Sequence, residues 1–140
     1  MTKRLLSALT LSALLMGALA GRLQAGENEQ QATAAAEQWL ALIDAGQFEQ
    51  SWQAAAPYFK AAVTQSQWKN SLEGVRKPLG TLVSRSVKNA KFTRSRPGAP
   101  DGEYVVIQFS TTFSNKQRAI ETVTPMRAGG VWKVSGYFIK

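Results

Sequence analysis

The spacing of the apolar residues changes once along the chain, and this change limits the fold more than any other feature of the sequence. From Ala32 to Val75 the apolar residues recur at the period of a helix. Beyond Pro78 they alternate, most clearly in "YVVIQFSTTF" at residues 104–113, as expected for a strand with one buried face. Helices followed by strands predict an α+β fold in which the helices pack on one face of a sheet.

The helical half contains signals for three helices. The first is expected to end at Gly46, because glycine readily adopts the left-handed conformation that closes a helix. A second apolar stripe starts at Phe48. The third helix has the signature of a capping box, in which Thr64 caps the helix and Gln67 reaches back to the Thr64 backbone. Pro78 ends this element, since proline cannot continue a helix.

Asp44 lies next to the bend at Gly46 and is the first carboxylate that could serve a catalytic site. On a helical projection it lies beside Glu37, away from the apolar stripe that contains Trp39. The sequence therefore predicts that Asp44 is a solvated bend residue rather than a carboxylate at the rim of a pocket.

The second half of the chain reads as four strands joined by turns. The connecting segments "RSRPGAPDG", "SNKQ" and "AGG" are rich in residues that favour turns. The short connections predict an antiparallel meander, so the expected architecture is three N-terminal helices on a curved four-stranded antiparallel sheet. The expected strands are residues 81–93, 104–113, 118–127 and 131–139.

The hairpin loops also suggest which residues face one another. If the residue numbers of paired residues add up to about 196 across the first loop, Arg85 faces Thr111 and Val87 faces Phe109. A sum of about 232 across the second loop places Thr111 opposite Glu121, and Phe109 opposite Val123. A polar row would then cross the apolar face that the helices cover. Its members would be Arg85, Thr111 and Glu121.

Two interpretations of this polar row remain open. Charged groups in an apolar interior must be paired, so the row could be a structural ion pair. Alternatively it is the floor of a small ligand-binding pocket, whose aromatic wall would come from Trp39, Trp52 or Tyr137. A register error of one residue would turn the whole row outward.

The first residues have the pattern of a secretory signal peptide. Lys3 and Arg4 precede an apolar run, and Ala18-Leu19-Ala20 offers a cleavage site at residue 20, with a second site at Ala25. We expect a flexible lead at residues 21–31 and a single α+β domain at residues 32–140. The predicted location is the periplasm or the exterior of a bacterium, with no transmembrane span in the mature chain.

The composition excludes several chemistries. The chain contains no histidine and no cysteine, so triads that use histidine, cysteine nucleophiles and zinc sites of imidazole or thiolate are excluded. No glycine-rich phosphate loop lies between a strand and a helix. The sequence predicts no cofactor, no metal and no catalytic residue that a motif would identify.

Charge is distributed unevenly between the two halves. Residues 21–75 carry three basic and six acidic side chains, whereas residues 76–140 carry twelve basic and three acidic ones. A solvated face is the simplest interpretation, and the alternatives are an acidic protein, an anionic envelope surface or a small ligand. Nucleic acid is not favoured, because stacking aromatic residues are not interleaved with the basic ones. The basic residues at expected strand ends and loops are Lys88, Lys91, Arg94, Arg96, Lys116, Arg118 and Arg127.

Three stretches resemble one family of exported bacterial proteins. They are "AEQWLALIDAGQFEQSWQAAAPYFKAAV", "PGAPDGEYVVIQF" and the terminal "ETVTPM" with "VWKVSGYFIK". The chain is similar to domain-of-unknown-function family four thousand and nineteen from about Ala34 to Lys140. The resemblance implies a cone-shaped fold like that of nuclear transport factor two-like and cystatin-like domains. It implies no activity, because that family has none assigned and a fold does not define a function.

Three classes of function follow from these observations. The leading hypothesis is a non-catalytic binding or interaction module of the cell envelope. The second is a small pocket enzyme in which Glu121 is the general base and Arg85 orients the substrate. The third is a structural homodimer that packs through the outer face of its sheet.

Overall fold

The computed structural model describes the backbone of residues 11–140 and the side chains of residues 26–140. Helices come first and a four-stranded antiparallel sheet follows, with strand order β1-β2-β3-β4. The predicted α+β class and antiparallel meander are therefore confirmed. The elements are α1 (Leu11–Asp44), α2 (Phe48–Gln53), α3 (Pro57–Ala62), α4 (Gln65–Val75), a 3-10 turn (Lys77–Leu79), β1 (Leu82–Thr93), β2 (Tyr104–Phe113), β3 (Lys116–Ala128) and β4 (Val131–Ile139).

Helix α1 begins earlier than the sequence analysis expected. Residues 21–31, expected as a flexible lead, belong to this helix in the structure. Asn28 is buried and accepts a hydrogen bond from Arg127, and the carboxylate of Glu29 accepts one from the backbone N–H of Phe92. The apolar pattern could not show this, because polar side chains hold this part of the helix to the sheet.

The signal peptide at residues 1–20 remains a prediction. Residues 1–10 lie outside the described backbone, and the side chains of residues 1–25 lie outside the described side chains. None of the helices in the described part of the chain is both long enough and apolar enough to cross a membrane.

The second predicted helix is two short helices, so the chain has four helices before the sheet within the described residues. The break falls before Pro57, which occupies the first turn of α3, where its missing N–H costs nothing. At this break the N–H of Ala56 donates to the carbonyl oxygen of Val134 at 2.8 Å. The second of the three expected helices is therefore divided in two, and this bond attaches the break to β4.

Helix α4 begins as the sequence predicted. The N–H of Gln67 donates to Thr64 Oγ1 at 3.2 Å, and Gln67 Oε1 accepts from the N–H of Thr64 at 3.0 Å. The capping box is thus complete. Gly46 has a φ of 75°, which confirms the left-handed end of α1.

The register of the first hairpin is confirmed at two pairs and then shifts. Arg85 lies opposite Thr111 and Val87 opposite Phe109, as predicted. A bulge follows Val87, and it turns Ala90 and then Phe92 towards the core. A bulge adds one residue to one strand, so the face that each later residue occupies is exchanged.

The register of the second hairpin differs from the prediction by two residues. Phe109 lies opposite Glu121 rather than Val123, and Thr111 lies opposite Ala119. The strands continue to Phe113 and Lys116, so the connection is shorter than the loop "SNKQ" suggested. A shift of two residues preserves the face of every side chain, and Glu121 therefore still points towards the helices.

The core lies between the helices and one face of the sheet. Leu40 and Ile43 of α1 pack with Ile107 and Phe109 of β2, and these four residues are almost completely inaccessible to solvent. This layer covers the sheet face on which Arg85, Thr111 and Glu121 lie.

Candidate functional site

Each strand contributes one polar side chain to a network on the face of the sheet that the helices cover. Glu121 on β3 is the centre of this network and has no solvent exposure. A buried carboxylate needs donors, because an isolated charge in an apolar interior is very unfavourable. The donors come from the other strands: Arg85 on β1, Thr111 on β2 and Tyr137 on β4.

Both oxygens of Glu121 are engaged. Oε1 accepts from Arg85 Nε at 2.7 Å and from the Thr111 hydroxyl at 2.6 Å. Oε2 accepts from the second terminal nitrogen of Arg85 at 3.2 Å and from the hydroxyl of Tyr137. The predicted triplet is therefore assembled, although Thr111 reaches Glu121 diagonally rather than from the directly opposite position.

Asp44 extends the network to the end of α1. Its carboxylate accepts two bonds from the guanidinium of Arg85, at 2.7 Å and 3.0 Å. It also accepts one from Arg76 at 2.9 Å. The interpretation of Asp44 as a solvated bend residue is wrong, because the side of α1 opposite the Trp39 stripe turns towards β1 and Arg85 at this point.

Arg76 is a network residue that the sequence analysis did not identify. It lies directly after α4, is almost fully buried, and also donates to the carbonyl oxygen of Gly80 at 2.8 Å. Its guanidinium lies 4.2 Å from the centre of the Phe113 ring, a favourable cation–π geometry. In the sequence it is one of many basic residues of the second half, and no local pattern distinguishes it from exposed ones.

The electrostatics of the network favour its charged form. Burial alone would raise the pKa of Asp44, but the bonds from Arg85 and Arg76 outweigh burial and hold that pKa below its ordinary value. Burial would lower the pKa of Arg85, but its two carboxylate partners raise it. Burial and the negative charge of Glu121 both raise the pKa of Tyr137, so the phenol stays protonated and donates.

An aromatic wall does border the network, with a different membership from the predicted one. The rings of Trp39 and Tyr137 meet edge to face, with 5.4 Å between their centres, and Trp68 stacks on Trp39 at 6.1 Å. Trp52 does not take part in these contacts. Its indole donates to the carbonyl oxygen of Val63, and its ring lies 5.8 Å from the ammonium of Lys60.

The network is neutral in charge, because two carboxylates balance two guanidinium groups. Four surface cavities of the described part of the chain are lined by other residues. Among the described residues, no group of three or more acidic side chains is arranged to hold a metal ion. The arrangement can therefore fasten α1 and α4 to the sheet. Neither of its carboxylates lines any of these four cavities.

A second ion pair lies near the opposite end of the sheet. Arg127 donates to Glu103 at 2.5 Å and to Asn28 at 2.7 Å, and its guanidinium lies 4.5 Å from the centre of the Trp132 ring. Arg127 was expected to be one of the basic residues of a solvated face, but in the structure it is half-buried and paired.

The fold and the network define the class of the protein. It is a small α+β domain with an open antiparallel sheet and helices packed on one face. A buried, charge-balanced network attaches these helices to the sheet. The chain belongs to the family described as Protein of unknown function (DUF4019), whose model matches residues 35–137. The family membership expected from the sequence is thus confirmed, and the match spans the whole network from Asp44 to Tyr137. No curated protein matches the chain.

Proposed function

We propose that the protein is an exported, non-catalytic interaction module of the bacterial cell envelope, in which the buried network is structural. The observation that carries the proposal is the environment of Glu121, whose two oxygens accept bonds from three neighbouring side chains and have no contact with solvent. Export rests on the signal-peptide pattern of residues 1–20.

The environment of Glu121 does not suit a general base. Such a base must come within hydrogen-bond distance of the proton that it removes from a substrate. Arg85, Thr111 and Tyr137 occupy these positions in the structure. A substrate would have to displace at least one of them and leave a buried donor without an acceptor, which is costly.

Cellular activity can be compared with stability to test the non-catalytic role. Glu121→Gln keeps the shape of the side chain but removes its basicity, and Phe48→Leu perturbs the core away from the network. If the role is non-catalytic, the two variants should complement a deletion strain in proportion to the folded protein that each one leaves. Loss of complementation in Glu121→Gln alone, at equal amounts of folded protein, would overturn the proposal in favour of a catalytic Glu121.

Native mass spectrometry of the protein recovered from its own envelope gives an independent measurement. We expect the mass of the polypeptide without a small molecule. A reproducible adduct that Tyr137→Phe removes would favour the alternative of a pocket with Glu121 and Arg85 in its floor. Intact mass on the same sample tests export, and we expect a start at Gly21 or Gly26; a chain that keeps Met1 would contradict cleavage.

A further inference from the structure

The face of the sheet that points away from the helices, called the outer face below, combines exposed apolar residues with cations. Strand pairing places Phe138 opposite Thr122, which lies opposite Gln108, and all three point away from the core. Phe138 is 51% exposed, a large fraction for an aromatic residue in a sheet. Val106 and Ile120 are half-buried neighbours on the same face.

The charged side chains that the strands place on the outer face have one sign. By register Lys91, Arg118 and Lys133 lie there, on β1, β3 and β4. Lys91 and Arg96 also line a shallow depression of about 250 Å³. Of the nine acidic residues of the chain, Glu121 alone lies within a strand, and it points to the opposite face. The outer face therefore presents positive charge beside the exposed ring of Phe138 and the half-buried side chains of Val106 and Ile120.

We propose that the outer face docks on the surface of an anionic phospholipid bilayer. This inference names the partner of the proposed interaction module and rests on that proposal. Exposed aromatic and aliphatic side chains enter the boundary between headgroups and acyl chains, while long basic side chains keep their charges at the headgroups. Anionic lipids attract each such cation over a distance set by the ionic strength.

Two other occupants fit the outer face less well. A second copy of the chain would bring two positive faces together, and like charges in an interface are unfavourable. A folded acidic protein offers fixed carboxylates, which suit cations that are already held in place. Within the described part of the chain, the side chains of Lys91, Arg118 and Lys133 form neither hydrogen bonds nor ion pairs. Cations without fixed partners suit a fluid array of headgroups.

The test is vesicle co-sedimentation of the full chain, with phosphatidylglycerol and phosphatidylcholine in equal parts, compared with pure phosphatidylcholine. We expect binding to the anionic vesicles that weakens as salt rises. A triple variant Lys91→Gln, Arg118→Gln, Lys133→Gln should bind on the order of 100-fold more weakly, from the usual contribution of a cation near an anionic membrane. Phe138→Ser should weaken binding at high salt as well.

Matched controls remove the same amount of charge or apolar surface elsewhere. Lys60→Gln, Lys69→Gln, Lys77→Gln lowers the net charge equally on the helical side, and Val75→Ser removes an exposed apolar residue from the end of α4. Both controls should bind anionic vesicles like the parent chain. Pure phosphatidylcholine reports any contribution of an uncleaved leader, which all variants share.

Three results would overturn the proposal: no preference for anionic vesicles, equal losses in both triple variants, or a dimer in solution that the outer-face variants dissociate. Salt-sensitive binding to polyglutamate without binding to anionic vesicles would also overturn it and would indicate an acidic protein partner. The non-catalytic role would survive any of these results, because the Glu121→Gln comparison decides it separately.

Discussion

At the scale of single residues, the guanidinium of Arg85 is the junction of the buried network. It bonds to Asp44 and to Glu121, whereas Arg76 supports Asp44 alone. Glu121 reaches its remaining donors on β2 and β4, so its loss would leave Arg85 with one carboxylate. Loss of Arg85 would leave both carboxylates short of positive charge, and the two substitutions should therefore differ in cost.

The first prediction is a double-mutant cycle on this junction. Arg85→Met and Glu121→Leu should each lower the free energy of unfolding by about 3–5 kcal/mol, because each leaves a buried partner uncompensated. Arg85→Met should lower the free energy of unfolding more than Glu121→Leu does. The double variant should recover part of the loss but not all, since Asp44 keeps only Arg76. Urea unfolding measures the four proteins.

An exposed ion pair provides the control for this cycle. Lys69 and Glu49 form a bond of 3.0 Å with about half of each side chain accessible. Removal of either should cost about 0–1 kcal/mol, as is usual for surface pairs. Arg85 and Glu121 variants that unfold like these surface variants would show that the network is hydrated in solution.

The second prediction concerns pH and Asp44. A carboxyl whose folded-state pKa is lowered stabilises the protein above its unfolded pKa of about 3.9, and the stabilisation is lost as pH falls towards the folded value. Asp44→Asn should therefore lose stability at neutral pH and show a flatter dependence below about pH 4. Glu37→Gln, at an exposed position about two turns earlier in the same helix, should keep the acid dependence of the parent protein. Parallel acid curves for the parent and Asp44→Asn would contradict the role of Asp44 in the network.

At the scale of elements, the beginning of α4 and the turns at Gly46 and Gly80 depend both on the local sequence and on tertiary contacts. The cap at Thr64 was readable from the sequence, because its partners are three residues apart. Trp68, in the next turn, is 8% exposed, and its indole donates to Ser51 Oγ at 2.9 Å. That bond joins α4 to α2, and the sequence alone did not predict it because the two residues are 17 positions apart.

The third prediction separates these two contributions to α4. Thr64→Ala should lower the free energy of unfolding by about 1 kcal/mol, as loss of a helix cap does. Trp68→Ala should cost about 3–5 kcal/mol, because it empties a large core volume. Chemical denaturation followed by far-ultraviolet circular dichroism measures both. Similar small losses in the two variants would mean that α4 does not pack on the core.

The fourth prediction compares Gly46 with Gly80. Both have positive φ, 75° and 81°. A Cβ at Gly46 would meet nothing within 4 Å, so Gly46→Ala should cost about 1–2 kcal/mol from backbone strain alone. A Cβ at Gly80 would come within 2.0 Å of Ser114 Oγ, and the ψ of −151° is almost exclusive to glycine.

Gly80→Ala should therefore be the more destabilising substitution, and thermal melts of the two single variants measure the difference. The pair Gly80→Ala with Ser114→Ala is the control, and it should recover the steric part of the loss but keep the backbone part. If Gly80→Ala were no worse than Gly46→Ala, the close approach between the 3-10 turn and the hairpin at Ser114 would be refuted.

At the scale of the whole molecule, polar contacts fasten the long first helix to the sheet at two places. Asp44 does so near the end of α1, through Arg85. Asn28 does so some four turns earlier, through Arg127 on β3. Between them the apolar stripe of α1 covers the sheet, so the helix is held to the sheet from Asn28 to Asp44.

The fifth prediction tests the earlier attachment by truncation. A chain that begins at Gln31 should be less stable than one that begins at Gly26, by about 1–3 kcal/mol, because half-buried Arg127 loses the Asn28 oxygen. Asn28→Ala in the longer chain is the matched control and should reproduce most of the loss. Thermal melts at equal concentration measure all three. Identical melting temperatures would show that residues 26–30 do not support the fold.

The sequence by itself determined what depends on neighbours along the chain. The two apolar periods, the cap at Thr64, the left-handed turn at Gly46 and the pairing of Arg85 with Thr111 were all predicted, because each follows from local spacing or from the loop beside it. Helical spacing likewise showed that Asp44 lies away from the Trp39 stripe. It could not show what that side of the helix would meet.

Only the tertiary structure decided the meeting of distant residues. Asp44 and Arg76 are 32 positions apart, and Asp44 and Arg85 are 41 apart. The bulge after Val87 and the two-residue shift of β3 depend on how the sheet packs under the helices, and no turn signal in the loops encodes them. A buried charge accepts whichever partner the fold brings to it, so the network became visible only once helices and strands were placed together.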